Sequence, residues 1–249
     1  FGVLGEAMGG LRHLTGEPGR VPVRTGVSIG DTLAALHGVI GVLLALRHRD
    51  VNGGEGQMID VALYESVFNV MESLLPEYDA FGAVRGAAGS ALPGIAPSNA
   101  YRCGDGAYVL IGGNGDGIFK RLMRAIGRTE LADDPGLARN DGRVARVAEI
   151  DAAIEAWTSQ RPIAEALVAL DAAAVPAGRI YTVADIAADP QYQARDMIVQ
   201  THDADGRPLK VPGIVPKLSA TPGRLRTPAP RLGEHGGEVL GAQGWKASR

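Results

Sequence analysis

Residues 27–46 read VSIGDTLAALHGVIGVLLAL, and Asp31 is the one acid or strong base in the run. Between Thr32 and Leu46, Leu33, Leu36, Val39, Ile40, Leu43 and Leu44 recur at helical intervals, and His37 is the only group able to titrate. The pattern predicts a helix over about 31–49, buried on most sides and too short in its uncharged part to cross a membrane. Asp31 opens this helix and Arg47, His48 and Arg49 close it, the order that the helix dipole favours. On its own, Asp31 reads either as an N-cap accepting first-turn amides or as a carboxylate nucleophile facing a cleft.

Outward from that helix, residues 2–14 predict a helix and 17–22 a Pro/Gly turn. A reverse turn at 52–56 leads into a short strand around Met58–Val61 and a helix from Leu63 to about Leu75. The segment SNAYRCGDGAYVLIGG, 98–113, reads as a hairpin about Gly-Asp-Gly. Helices follow near 116–127, 143–158 and 162–173, and strands near 177–181, 197–203 and 208–212. The Pro- and Arg-rich stretch 221–230 should be extended. The fold class is therefore mixed α/β. The parts are a helical segment at 1–80, an Ala/Gly-rich loop and linker at 81–97, a small α+β domain at 98–197, and returning strands with a tail at 198–249.

With 249 residues, 45% hydrophobic and 21% charged, the chain can bury a sizeable core and is not wholesale disordered. A net charge of −3 gives no basic footprint for nucleic acid. The single Cys103 excludes an internal disulfide and fits a cytoplasmic, structural thiol. No two His or Cys have metal-ligand spacing. The glycines of GGNGDG, 112–117, follow a strand and open a helix, but their spacing is not that of a dinucleotide loop. A glycine turn with Asn114 or Asp116 as cap explains them better. His37, six residues beyond Asp31, is off its face and reads as a buried packing residue.

Three segments carry a family resemblance: GEAMGGLRHLTGEPGRVPVRTG at 5–26, VSIGD at 27–31 with its helix, and LRHRDVNGGEGQMIDVALYESVF at 46–68. AYRCGDGAYVLIGG, VPAGRIYTVADIAADPQYQARDMI and PRLGEH continue it in order to residue 235. Together they resemble the family III CoA-transferases, the carnitine and formyl-CoA transferase group. The resemblance implies that fold in part, and that the chain is the carboxyl-side portion of a longer protein whose amino-terminal half supplies much of the CoA pocket. It implies Asp31 as nucleophile, acyl-CoA and a small carboxylic acid as substrates, no tightly bound cofactor, and an interlocked homodimer.

A carboxylate suits that role because it can form both an anhydride and a thioester. Both hydrolyse in water, so such a site needs a cover. The loop RGAAGSALPG, 85–94, stands where the family has a glycine loop over the aspartyl intermediate, and Gly86, Gly89 and Gly94 are its candidate substrate-side residues. An ordinary flexible connection is the other reading. Arg24, Arg47 and Gln57 read either as substrate-side groups or as surface and interhelical pairs. Glu6, in a segment where many relatives have glutamine, brings a charge that must be solvated or paired. An acyl-CoA racemase or epimerase, or a non-catalytic dimerisation fragment, are the alternatives. The continuation GDTLAAL, in place of a GDFGGG-like one, favours the transferase.

Overall fold

The computed structural model describes residues 1–241. Two compact units divide at Arg179 and Ile180. In the first, α1 (Gly2–Met8), α2 (Leu11–Leu14), α3 (Ile29–Val51), α4 (Leu63–Asn69) and α5 (Leu74–Phe81) precede the Ala/Gly loop. There follow β1 (Ser98–Arg102), β2 (Tyr108–Gly112), α6 (Asp116–Ala125), α7 (Thr129–Ala132), α8 (Asn140–Ala145), α9 (Val147–Thr158), α10 (Ile163–Ala172) and β3 (Ala177–Arg179). The second unit holds α11 (Val183–Ala188), α12 (Pro190–Ala194), β4 (Ile198–His202), β5 (Pro208–Pro212) and α13 (Gly236–Leu240). Positions 242–249 of the expected tail lie outside the described residues.

The expected hairpin forms with Tyr101 opposite Val109, and β3 adds antiparallel to the free edge of β2. Its inner face carries Tyr101, Val109 and Ile111 against Phe119, Leu122, Ile150, Ile154 and Leu170 of α6, α9 and α10. Helix α6 buries Phe119, Leu122 and Met123 at three-, four- and one-residue intervals, the stripe that a 3.6-residue period produces. β4 and β5 pair about the turn at 203–207, and residues 221–230 are exposed and non-helical, as expected.

Several boundaries differ from the expectations. The helix at 2–14 breaks at Gly9–Gly10, where Gly10 takes φ +93°. The helix at 143–158 is two, joined at Arg146. Residues Met58–Val61 form no strand. Their apolar side chains favour extension, but no neighbouring strand is there to accept the ladder.

The main correction concerns α3. The helix forms, yet Gly30 is its only buried residue, and Leu36, Val39, Ile40, Leu43, Leu44 and Leu46 are exposed. Helices α1 and α4 pack against it and Ile59 approaches its Gly41, so a helix apolar on all sides is covered on one. At 23 residues and mean hydropathy 1.8 it is also long and apolar enough to cross a membrane, contrary to the expectation from its uncharged run. The interior helix of a water-soluble protein meets the same criterion.

Candidate active site

Asp31 is the third residue of α3, and Ser28 holds the N-cap position. The cap reading of Asp31 is thereby corrected: the helix starts two residues earlier, and no side chain caps it. The carboxylate is exposed and lies in the first turn, where the positive end of the helix favours negative charge.

Helix α1 lies across this turn through glycines. Gly2, Gly5 and Gly9 share one face at helical spacing, and each lets backbone approach where a side chain would collide. A β-carbon on Gly5 would stand 2.8 Å from Leu63 Cβ, and one on Gly9 would stand 2.6 Å from Val67 Cβ. On Gly2 it would stand 2.2 Å from Asp31 Oδ2. Gly2 thus rests against the candidate nucleophile itself.

One turn further along α1, Glu6 is buried, with 1% of its surface exposed. Its Oε2 faces Arg24 Nε at 3.8 Å and Arg12 Nε at 3.9 Å, distances of ion pairing rather than hydrogen bonding. Glu6 Oε1 and Arg12 Nε have no hydrogen-bond partner among the described residues. Arg24 Nη2 donates to Ser28 Oγ at 3.0 Å. The absence of a side chain on Gly30 makes room for this cluster, since a β-carbon there would lie 3.2 Å from Glu6 Cγ.

The Ala/Gly loop is tied at both ends and near its middle. Arg85 donates to Ser73 Oγ at 2.8 Å and to Glu77 Oε2 at 2.7 Å, and the Arg85 bond, with that from Ser73 Oγ to Glu77, holds the Glu77 carboxyl below its usual range. Gly89, at φ +63°, donates its N–H to the Gly16 carbonyl at 2.9 Å, and a β-carbon there would meet the Glu17 carboxylate. The Gly94 carbonyl accepts from Asn140 Nδ2 at 2.9 Å. Gly86 has open space around it. Gly89 therefore joins the loop to the turn before α3, and no described contact joins the loop to Asp31.

Other candidates fall away from this cluster. Arg47 is sixteen residues after Asp31 along α3, about 24 Å by helical rise. Both it and Gln57 are exposed. His37 is half-buried and lines one hollow with Ile40 and Ile59, rather than buried as expected. Burial raises the Cys103 thiol, which makes it inert at neutral pH. No metal-binding group of side chains occurs among the described residues.

At GGNGDG, neither Asn114 nor Asp116 caps α6 by its side chain. The Asp116 carboxylate instead takes Arg143 at 2.8 Å and Arg139 at 3.2 Å, and these arginines hold its pKa low. That negative charge opposes a phosphate at the helix start. Arg143, fully buried, also donates to the carbonyls of Ala96, Leu137 and Asn114. Together with Asn140 it ties the loop's end to α8 and to the start of α6. Sequence reasoning missed this pair and Gly2. For Gly2 the signal was the 2-5-9 glycine spacing; an arginine in a helix of six residues carried none.

A family profile described as "CoA-transferase family III" matches residues 1–236. A "Succinyl-CoA--D-citramalate CoA-transferase" of Chloroflexus aurantiacus is 46% identical over 240 residues, covering 96% of this chain and 60% of that protein. A "Succinate--glutarate CoA-transferase" of Agrobacterium fabrum is 35% identical over 237 residues, covering 94% and 58%. The crystal structure of a CaiB/BaiF family protein from Brucella suis superposes with a TM-score of 0.80 at 36% identity, covering 96% of this chain and 62% of that one. The chain thus spans about 60% of the length of the curated relatives it matches.

Proposed function

The chain belongs to CoA-transferase family III, and we propose from this that it moves CoA from an acyl-CoA donor to a carboxylic acid acceptor through Asp31. The observation that supports the assignment most is the exposed Asp31 carboxylate at the start of α3, with the Gly2 backbone of α1 against it.

The chemistry follows from the carboxylate. Asp31 attacks the donor thioester carbonyl and releases CoA thiolate, leaving a mixed aspartyl anhydride. The thiolate attacks the aspartyl carbonyl, the donor acid departs, and an aspartyl-CoA thioester remains. The acceptor carboxylate attacks that thioester, giving a second anhydride and thiolate. The thiolate then attacks the acceptor's carbonyl, forming the new acyl-CoA and restoring Asp31. Negative charge builds on the aspartyl carbonyl oxygen in the second and third attacks, and on the donor's and then the acceptor's carbonyl oxygen in the first and fourth; the positive end of α3 stabilises charge at the aspartyl group. The Ala/Gly loop, pinned at Gly89 and Gly94, is the proposed cover against water.

The relatives' names carry succinate, citramalate, malate and glutarate, so short dicarboxylic acids are the proposed substrate class here. A homodimer of interlocked chains is proposed with it. The test is mass spectrometry of the full-length protein after acyl-CoA and hydroxylamine treatment. A hydroxamate at Asp31, lost together with transfer in Asp31→Asn, is the expected result. Full activity in Asp31→Ala would remove the assignment.

A further inference from the structure

We infer that Arg24, braced by buried Glu6 and by Ser28, is the group that binds the distal carboxylate of a dicarboxylic acid at this site. The inference rests on the transferase reading and names the residue that selects its substrate class.

Glu6 is the least expected group near the nucleophile. A carboxylate taken out of water needs compensation, and the two arginines that face it do so only at ion-pair distance. One Glu6 charge set against Arg12 and Arg24 leaves a net positive charge on the cluster. Of the two arginines, Arg24 is the one more open to a ligand, with 47% of its side-chain surface exposed against 27% for Arg12.

The bracing fixes one edge of the Arg24 guanidinium. Nε is turned toward Glu6, and Nη2 donates to Ser28. Nη1 makes no hydrogen bond among the described residues, so a side of the planar fork remains for a ligand. Carboxylates are what that fork suits, because two parallel N–H groups meet two oxygens. A lysine in the same place would offer a point charge without the plane.

Position supplies the rest. Ser28, the N-cap that Arg24 grips, precedes Asp31 by three residues, so both stand at the start of α3. An acid whose first carboxylate reacts at Asp31 therefore carries its second toward Arg24 when a short carbon chain separates them. Glu6 acts on substrate only through Arg24 and is a positioning residue. Without its charge, Arg24 loses the restraint that holds the fork ready.

The experiment compares kcat/KM of the full-length protein for succinyl-CoA and for butyryl-CoA, with a fixed acceptor, in the wild type, Arg24→Lys, Arg24→Gln and Glu6→Gln. The two donors differ by one terminal carboxylate. The expected result is a succinyl/butyryl ratio reduced by about ten- to hundredfold in Arg24→Gln, the value of a charge-assisted bond. Arg24→Lys should recover part of it, and Glu6→Gln should fall in the same direction by less. Equal losses for both donors in Arg24→Gln, or an unchanged ratio, overturn the inference. The hydroxamate at Asp31 separates the two claims. Its presence in wild type with an unchanged ratio removes the role of Arg24 alone, whereas its absence in wild type removes the transferase reading and this inference with it.

Discussion

Gly2→Ala puts the proposed role of Asp31 under direct strain. The added β-carbon would stand 2.2 Å from Oδ2 and 2.9 Å from Cγ of Asp31, where ordinary contact begins near 3.4 Å. The carboxylate is the free end of a flexible side chain, so it moves by about 1 Å, and the α1 backbone stays. If the displaced side chain can still reach the reacting carbonyl by adopting a strained rotamer, the cost is about 0.5–1.5 kcal/mol. If it is misplaced by that ångström, the rate falls about a hundredfold, or about 2.7 kcal/mol in the barrier. The larger effect is expected, because bond formation tolerates little error in approach. Folding should not suffer, since alanine is favoured over glycine in a helix by about 0.5–1 kcal/mol.

The assay on the full-length protein is the single-turnover rate of hydroxylamine-trapped adduct, beside a thermal melt. A slow variant with an undiminished Tm is the expected outcome. An adduct rate within about threefold of wild type, below 0.7 kcal/mol, would refute the positioning argument. A fall in Tm that accompanies the loss would assign the contact to folding instead.

Arg143→Met removes a fully buried guanidinium, leaves three carbonyls without their donor and leaves Asp116 with Arg139 alone, so a loss of about 3–5 kcal/mol in denaturant stability is expected; a loss below about 1 kcal/mol would show that water replaces it. Gly117→Ala in α6 is the opposite case, with its nearest neighbour at 3.7 Å, and should stabilise by about 0.5–1 kcal/mol in the same titration. Asp116, Asp134 and Glu149 are all held below their usual pKa by arginines. Their contribution is therefore complete above the unfolded carboxylate range near pH 4 and is lost as pH falls through the lowered folded values. Near-UV circular dichroism should show the Phe1–Arg179 unit loosening below about pH 4, with a shallower acid dependence in Asp116→Asn; an unaltered slope would remove that pair from the acid transition.

The elements whose burial is local were legible. The hairpin at 98–112 announced itself by β-prone runs about Gly-Asp-Gly, and α6 by its three-and-four spacing, because both bury a face against neighbours close in sequence. Helix α3 was legible as a helix and misread in its surroundings. Apolar side chains all round say what the helix requires, and α1 and α4 meet that requirement over one face here. Asp31 was legible as a residue of interest, while its companions were not. Glu6 showed only as a charge in an apolar helix, and its partners Arg12 and Arg24 lie six and eighteen residues away, beyond any periodic signal.

The exposure of α3 bears on the chemistry as well as on the fold. An aspartyl thioester survives only where water is kept away, yet Asp31 is open to solvent and the Ala/Gly loop does not touch it. The same helix presents Leu36, Val39, Ile40, Leu43 and Leu44 to solvent, an apolar patch larger than scattered surface residues account for. The loop therefore needs help to exclude water: cover laid along α3 would bury its side chains and complete over its first turn the seal that the loop begins. If that is its role, Leu44→Glu in the full-length protein should raise the rate of acyl-CoA hydrolysis relative to transfer although Leu44 lies more than three turns from Asp31; a lowered transfer rate without added hydrolysis would place water exclusion elsewhere.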